Sequence, residues 1–482
     1  MRRIIASLVT VGAVMVAGCN LDVTNPNNPT IDGALKNPRA ATARMITGVM
    51  ATYRGNKAGQ IQDFGSFGRE IYNMFITDGR SITGPYRDWR QNNAFAAGSQ
   101  WGGRYQNYRN AYGAMKIINN TSSLTPDEKS GAYGVLKTYI ALDLLHVVEA
   151  RGAIGAVVDM TDDPTEVLPI VSQDSALAWI SAKLDEANAD LAADTMSAFY
   201  FPIYAGFSNG VAGTSTPAGF AQFNRAIKAR VEAYRGSRGC VTCYSTVLTA
   251  LAGTWIANLD SANRDNGIYV VYSTGSGDAL NVISFAINSD YFLHPSIDSL
   301  PNVGLDDRYR RKVALATSVC PTTYTPRTEV GVTATHRPCV YAGNTTPVPI
   351  FRNEELVLLR AEAEWFTNAK AAALVDLNAV RTNSGGSRGG TSIARFPVPV
   401  ADSEFVGDLL WQRTLSLLFE GHRYPDYRRF GRLAELSTLG QDGLALFTVA
   451  VSSVLPSQEC DARARVGNPG GIPLSCPVNL IP

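Results

Sequence analysis

Apolar residues recur at intervals of three or four along most of the chain, which is the spacing of one face of an α-helix. The longest such pattern runs from residue 126 to about residue 150. It begins with Thr125, Pro126 and Glu128, which together form a helix-start signal. Similar patterns, one of them capped by Ser172, predict further helices over residues 38–53, 61–76, 104–120, 173–191, 220–235, 244–259, 352–366, 369–382 and 409–420.

Successive helices of this length can pack as pairs, each burying its apolar face on the next. Pairs of about 34–45 residues fit a tetratricopeptide-like layout. The pattern changes after residue 260, where two short strands, at 268–272 and 282–287, lie among many prolines. We therefore predict a mainly α protein, built of α–α superhelix over residues 39–260, an irregular loop-rich lobe with short strands over 261–350, and a further helical region over 351–482.

The first nineteen residues have the pattern of an export signal. Arg2 and Arg3 precede a short apolar stretch at residues 4–16, which is too short to span a bilayer. Val16-Ala17-Gly18-Cys19 resembles a lipobox, so we predict a signal peptide over residues 1–18 and acylation of Cys19. The Asn- and Pro-rich residues 19–38 would then be a tether from the membrane. The alternative is an ordinary signal peptide with a coincidental cysteine.

The charge balance excludes some partners. The chain has 43 Lys and Arg residues against 42 Asp and Glu residues, a net charge of +1, which gives no reason to expect a nucleic-acid partner. Charged residues make up only 18% of the chain, and Gly, Asn, Ser, Thr and Tyr are abundant. This composition is typical of an exported bacterial protein with long polar loops.

Six cysteines are left once Cys19 is set aside, an even number in an oxidising compartment. Six cysteines allow fifteen connectivities, and local spacing favours Cys240–Cys243, Cys320–Cys339 and Cys460–Cys476. A zinc site at the C-x-x-C of Cys240 and Cys243 is the alternative, but no second pair of ligands lies nearby. Redox catalysis by the same motif would require a βαβ pattern that the sequence does not have.

Three motifs in the C-terminal part carry a family resemblance. Residues 355–363 (ELVLLRAEA) resemble an E-x-x-L-x-x-A-E-A helix, and residues 377–381 (LNAVR) an L-N-x-x-R helix. A third motif combines Arg413, Leu417, Phe419-Glu420-Gly421-His422-Arg423-Tyr424, Asp426 and Arg428-Arg429-Phe430-Gly431. In this order they resemble the signature of the SusD/RagB family, although Gln412, Ser416 and Pro425 depart from its usual residues.

The resemblance implies a SusD-like domain over residues 39–482 and a role in nutrient uptake. Proteins of this family are surface-exposed lipoproteins of the outer membrane, which bind a nutrient and pass it to a TonB-dependent transporter. We expect the same here, with an oligosaccharide as ligand and no enzymatic activity. A helical-repeat scaffold, or a peptide-binding lid of the transporter that does not bind glycan, is the alternative.

The segment from residue 78 to residue 103 is the first candidate for ligand binding. It has no clean period, and it combines aromatic side chains with Asp, Arg and Asn. Sugars present apolar C–H faces and many hydroxyls, so an aromatic platform beside planar polar groups suits them. The candidate contacts, including two from the irregular lobe, are Asp78, Arg80, Tyr86, Trp89, Arg90, Asn92, Trp101, Tyr291 and Phe292. The alternative for Trp89 and Trp101 is to anchor a structural loop.

Other polar clusters indicate structure more than chemistry. The charges between residues 409 and 433 lie among leucines and aromatics, so we predict a buried ion-pair network. Asp306 and Asp307 could suggest a glycosidase, but adjacent side chains on an extended chain point apart. Residues 385–390 are Gly-rich but lack the G-K-[ST] of a phosphate loop. We therefore predict no catalytic residue, no metal and no cofactor, and His146 as a core residue.

Overall fold

The computed structural model describes residues 36–86, 100–301, 303–314, 325–386, 401–436 and 449–466. The predicted signal peptide, Cys19 and nearly all of the tether lie outside these ranges. Within them, no helix combines the length and the apolar character that a membrane span requires.

Fourteen α-helices lie in the described ranges. In chain order they are α1 Pro38–Phe67, α2 Arg80–Tyr86, α3 Gly102–Asn120, α4 Pro126–Arg151, α5 Gln173–Ala193, α6 Pro217–Ser237, α7 Cys243–Leu251, α8 Pro295–Asp298, α9 Asp307–Lys312, α10 Asn353–Phe366, α11 Lys370–Asn383, α12 Asp402–Ser416, α13 Arg423–Arg429 and α14 Ser457–Arg465. The helices predicted from sequence between residues 104 and 235 and between 352 and 382 are confirmed with small shifts at their ends.

The long helices pack in chain order. α1 packs against α3, α3 against α4, and the succession continues through α5, α6, α7, α10 and α11. α4 is central to it, since it also contacts α1 and α6, and its residues from Thr138 to Arg151 are all buried. This order is the predicted α–α superhelix, in which each helix covers an apolar face of the one before it.

The start of α4 matches its sequence signal. The Thr125 hydroxyl accepts a hydrogen bond from the Glu128 amide at 3.2 Å, and the Glu128 carboxylate accepts one from the Thr125 amide at 3.0 Å. This reciprocal pair is a capping box. His146, in the buried part of the same helix, lies 3.1 Å from the Tyr53 hydroxyl and 2.6 Å from the Glu149 carboxylate, which confirms it as a core histidine.

The prediction of two helices over residues 38–53 and 61–76 was wrong. A single helix, α1, runs to Phe67, and a strand follows it. The residues between the two predicted helices are mostly polar, but Lys57 and Gln60 among them are buried. The Lys57 ammonium donates to the Gln60 side chain at 2.8 Å, and that side chain approaches the backbone of Gly421. Tertiary partners therefore keep this polar stretch helical.

The strands are short and form small antiparallel sheets. They are β1 Ile71–Asn73, β2 Ser208–Asn209, β3 Gly267–Val270, β4 Tyr291–Leu293, β5 Val313–Ala314, β6 Arg327–Glu329, β7 Val332–Ala334, β8 Arg337–Pro338 and β9 Val348–Arg352. β1 pairs with β4, β5 with β8 and β6 with β7, while β3 lies between β2 and β9.

The second predicted strand, at residues 282–287, does not form. Turns occupy this segment, because the Asn281 side chain accepts a hydrogen bond from the Ile283 amide and the Asn281 carbonyl accepts one from the Ser284 amide. Asn side chains that bond their neighbouring backbone compete with strand pairing in this way.

The predicted ion-pair network between residues 409 and 433 is confirmed. The Asp426 carboxylate accepts from Arg413 at 2.6 Å and from Arg429 at 2.9 Å, and Arg429 also reaches Glu362 at 2.5 Å. All four side chains are at most 4% exposed. The network joins α12 and α13, which are consecutive in the chain, to α10, which ends about 35 residues before α12.

The disulfide between Cys240 and Cys243 is confirmed. Cys339 and Cys460 are also disulfide-bonded, and the partners expected for them, Cys320 and Cys476, lie outside the described residues.

Candidate functional site

The connection between β1 and α2 places two large apolar side chains on the surface. Met74, which directly follows β1, is buried, but Phe75 is 44% exposed and Ile76 is 68% exposed. A turn closes behind them, since the Asp78 amide donates to the Phe75 carbonyl at 3.2 Å. Most large apolar side chains of the described residues are buried, so two adjacent exposed ones are notable.

A fixed pair of charges lies directly after these apolar residues. The Arg80 guanidinium donates from Nε and Nη2 to the two oxygens of the Asp78 carboxylate, at 2.9 and 2.7 Å. The Arg80 amide donates to the same carboxylate at 3.0 Å. These bonds from Arg80 lower the pKa of the Asp78 carboxyl, so it is ionised at neutral pH. The carboxylate and guanidinium thus form a two-bond pair at the protein surface.

A small apolar cluster supports this surface from beneath. The ring of Tyr72 on β1 lies 5.1 Å from the ring of Tyr86 on α2, and the Tyr86 hydroxyl donates to the Ile71 carbonyl at 2.7 Å. Across the sheet, Tyr72 pairs with Phe292 of β4. The cluster consists of Tyr72, Met74, Ile82, Tyr86, Phe292, Val332 and Ala334. Because the cluster is fully buried, the exposed residues above it have a rigid base.

The hairpin of β6 and β7 forms one side of the surface. Its two-residue turn has Val330 at φ 49° and Gly331 at φ 74°, the left-handed conformation of tight hairpin turns. Val330 is 38% exposed and packs against the turn at Gly79. A Cβ added at Gly79 would lie 2.8 Å from the Val330 side chain, so this approach requires glycine.

We name this region the Phe75 surface and define it by Phe75, Ile76, Asp78, Arg80 and Val330. It combines an exposed aromatic ring with a planar carboxylate–guanidinium pair. A ring of this kind can stack on an apolar C–H face, and the charged pair can donate to and accept from hydroxyls. No group of three His, Cys, Asp or Glu side chains suited to a metal occurs within the described ranges.

The structure separates the predicted contact residues into three groups. Asp78 and Arg80 lie on the Phe75 surface. Tyr86, Tyr291 and Phe292 are buried, with exposures of 0%, 4% and 1%, so they do not face a ligand in this conformation. Tyr86 and Phe292 belong to the cluster beneath the surface, whereas Tyr291 packs edge-on against Phe419. Trp89, Arg90 and Asn92 lie outside the described residues.

Trp101 lies elsewhere and has the contacts of an anchor. It is 5% exposed, its ring meets Tyr105 edge-on at 4.7 Å, and its indole N–H donates to Glu459 at 3.2 Å. None of these partners belongs to the Phe75 surface. Its burial is what the alternative of a structural loop anchor predicts.

The glycosidase alternative finds no support in the placement of the two adjacent carboxylates. Asp306 is buried, caps α9 by accepting from the Arg308 amide at 2.8 Å, and pairs with the Arg308 guanidinium at 2.6 Å. Asp307 is 44% exposed and lies near Arg310. The two carboxylates therefore have separate environments and do not face each other.

The family model of the SusD family matches residues 321–455. This segment contains all three motifs noted in the sequence, and the fold agrees over the rest of the chain. The C-terminal part of the chain therefore matches the SusD family. No curated protein matches it in a sequence comparison.

Several solved structures of SusD-like proteins share this fold. A SusD superfamily protein from Bacteroides vulgatus is 16% identical, with a TM-score of 0.64 over 90% of this chain and 99% of that chain. A SusD-like carbohydrate-binding protein from Bacteroides fragilis is 14% identical, with a TM-score of 0.64 over 89% and 99%. A third, from Bacteroides vulgatus, is described provisionally as an outer-membrane protein involved in nutrient binding; it is 13% identical, with a TM-score of 0.61 over 88% and 94%.

Phe75, Ile76 and Val330 were missed from the sequence. Phe75 and Ile76 were assigned to a helix over residues 61–76, in which apolar residues are expected to be buried. The signal that could have found them is the Thr-Asp-Gly turn at residues 77–79 directly behind an apolar pair. Nothing in the sequence indicates that Val330 packs on that turn, because the two are about 250 residues apart.

Proposed function

We propose that this protein binds a nutrient, an oligosaccharide, at the Phe75 surface. The observation that carries the proposal is the exposed Phe75 ring beside the fixed pair of Asp78 and Arg80, on a base of buried aromatics. Stacking on a sugar ring and hydrogen bonds to its hydroxyls would hold the ligand, with no covalent step. The carbohydrate-binding relative from Bacteroides fragilis supports the same ligand class.

A glycan panel titrated against the purified protein in a calorimeter tests this proposal. We expect at least one oligosaccharide to bind, and Phe75→Ala to weaken that binding by about 0.5–1.5 kcal/mol, the contribution of one stacked aromatic ring. Asp78→Asn should weaken it as well, because the carboxylate accepts from sugar hydroxyls and positions Arg80.

Val375→Ala is the matched control, because Val375 on α11 is 68% exposed and lies outside the Phe75 surface. It should bind the glycan as the unchanged protein does. If Phe75→Ala and Val375→Ala bind equally well, the ligand does not use this surface. If no glycan binds but a peptide does, the peptide-binding alternative is correct.

The match of residues 321–455 to the SusD family supports two further proposals about the setting of this binding. We propose that acylated Cys19 anchors the protein to the outer surface of the outer membrane, and that the bound nutrient passes to a TonB-dependent transporter on which the protein sits. Cross-linking in intact outer membranes should join the two proteins, and a Cys19→Ser variant should lose both the lipid and the cross-link. A cross-link that persists at full yield in the lipid-free variant would contradict the role of the anchor.

A further inference from the structure

A cavity lies between α3, α14 and the connection that follows α4. Its volume is about 610 Å³, which is within the range of pockets that hold small organic ligands. Trp101 and Tyr105 line it from the first turn of α3, residues 157–168 from the connection, and Glu459 and Arg463 from α14. None of these residues belongs to the Phe75 surface.

One carboxylate fixes the polar wall of this cavity. Glu459 accepts from the Trp101 indole N–H at 3.2 Å with one oxygen and from Nη2 of Arg463 at 2.6 Å with the other. Cys460, the next residue, is disulfide-bonded, which further constrains α14. The Arg463 guanidinium therefore has a defined position against the wall formed by α3.

Most of the hydrogen-bonding capacity of Arg463 is unused. The residue is 6% exposed, and its Nε and Nη1 atoms are buried with no hydrogen-bond partner among the described residues. A buried charged donor without a partner is unfavourable. The free-energy cost of removing it from water is already present in the ligand-free protein, so a ligand does not have to supply it. Arg463 lines the cavity, and a rotation of its side chain would turn these unused N–H groups toward an anionic oxygen pair bound there.

The remaining walls restrict the class of anion. Val157, Met160, Pro164 and Leu168 give an apolar face, so the ligand must have an apolar side as well as a charge. Asp159 and Glu166 are exposed residues that also line the cavity, and their charges would oppose a doubly charged phosphate or sulfate about twice as strongly as a single carboxylate. Arg109, whose Nη1 donates to the Thr161 carbonyl at 2.7 Å, adds one more positive charge.

We propose that this cavity binds a small organic molecule bearing one carboxylate, with Arg463 as the residue that recognises the carboxylate group. A sugar acid and the C-terminal end of a short peptide share this chemistry. The site is made of different residues from those of the Phe75 surface, so the proposal does not depend on glycan binding there.

Calorimetric titration with D-glucuronate tests the proposal, with D-glucose as the uncharged analogue of the same shape. We expect D-glucuronate to bind and D-glucose to bind at least about tenfold more weakly, because only the acid can pair with Arg463. Titration with L-alanyl-L-alanine as a second probe distinguishes a sugar acid from a peptide carboxylate as the source, and tighter binding of either one supports the proposal.

Arg463→Gln should weaken the binding of D-glucuronate by about 10- to 100-fold, the effect of losing a charged hydrogen-bond donor. Arg465→Gln is the matched control, since it removes the same charge from an exposed position on the same helix and should bind as the unchanged protein does. If Arg463→Gln does not fold, Met160→Trp fills the cavity with Arg463 intact and should also abolish binding.

Three results would overturn the proposal. D-glucuronate and D-glucose could bind equally well, or Arg463→Gln and Arg465→Gln could lose the same affinity for D-glucuronate. The third is that neither carboxylate binds. Phe75→Ala separates the two sites, because it should leave the binding of D-glucuronate unchanged. Failure of glycan binding at the Phe75 surface and failure of carboxylate binding here are therefore distinguishable.

Discussion

At the scale of single residues, the family's C-terminal motif acts through buried charge. Asp426 lies between Arg413 and Arg429, and each of the three side chains is almost fully buried. Removing a guanidinium group from water is costly, and Asp426 is the only carboxylate of the described residues that pairs with Arg413, whereas Arg429 also pairs with Glu362. Arg428, in the same motif, has another structural role: it donates to the carbonyl of Glu149 at 2.6 Å and so caps the end of α4.

Asp426→Asn should therefore destabilise the protein by about 3–5 kcal/mol, since it leaves the buried Arg413 without its counter-charge and removes one of the two carboxylates that pair with Arg429. Urea denaturation followed by circular dichroism measures the change in the free energy of unfolding. Asp461→Asn, at an exposed position on α14, should change that free energy by no more than about 0.5 kcal/mol. A loss in Asp426→Asn as small as that of the control would show that the ion-pair network is dispensable.

At the scale of the elements, local signals were reliable where the chain could satisfy them locally. The capping box of α4 needs only Thr125 and Glu128, and both the start and the type of this element were predicted. α1 is the opposite case. Its middle contains Lys57 and Gln60, which bond to each other and also to backbone carbonyls more than 300 residues away, so no local pattern could show that the helix continues.

Thr125→Ala should destabilise the protein by about 1 kcal/mol, the usual contribution of an N-cap side chain. The Thr125 hydroxyl accepts from the Glu128 amide, and alanine leaves that amide without its partner. Thermal unfolding measures the effect. Thr249→Ala, on the exposed side of α7, is the comparison, because alanine is the better helix former there and should leave stability the same or slightly higher. Equal melting temperatures for the two variants would contradict a capping role.

At the scale of the whole molecule, buried ionisable groups join distant segments and link folding to pH. Glu70, between α1 and β1, is fully buried, accepts from the Phe419 amide at 3.2 Å, and has a pKa that burial raises to about 8. Lys57 is also buried, and burial lowers its pKa to about 7. Each group therefore favours its neutral form in the folded protein.

Glu70 should make the protein less stable as the pH rises. The pKa of Glu70 is higher in the folded protein than in the unfolded chain, so the folded protein holds this proton more tightly. The contribution of Glu70 to stability is therefore fully present below about pH 4.5. That stability is lost progressively up to about pH 8. Relative to Glu70→Gln, which cannot ionise, the free energy of unfolding should fall by roughly 4 kcal/mol across this interval, at about 1.4 kcal/mol per pKa unit. Parallel curves for the two proteins between pH 5 and pH 8 would show that Glu70 does not titrate there.

The sequence by itself determined the mainly α fold, most of the long helices, the capping box, the disulfide of Cys240 and Cys243 and the resemblance to the SusD/RagB family. These features depend on residues that are close together in the chain, and the spacing of the apolar residues indicates which face of a helix is buried. Only the tertiary structure decided which aromatic residues are exposed. Tyr86 and Phe292 became the buried base, Phe75 became the surface, and Arg463 came to line a cavity with Trp101. Exposure depends on what packs against a side chain, and the packing partners here come from segments separated by hundreds of residues.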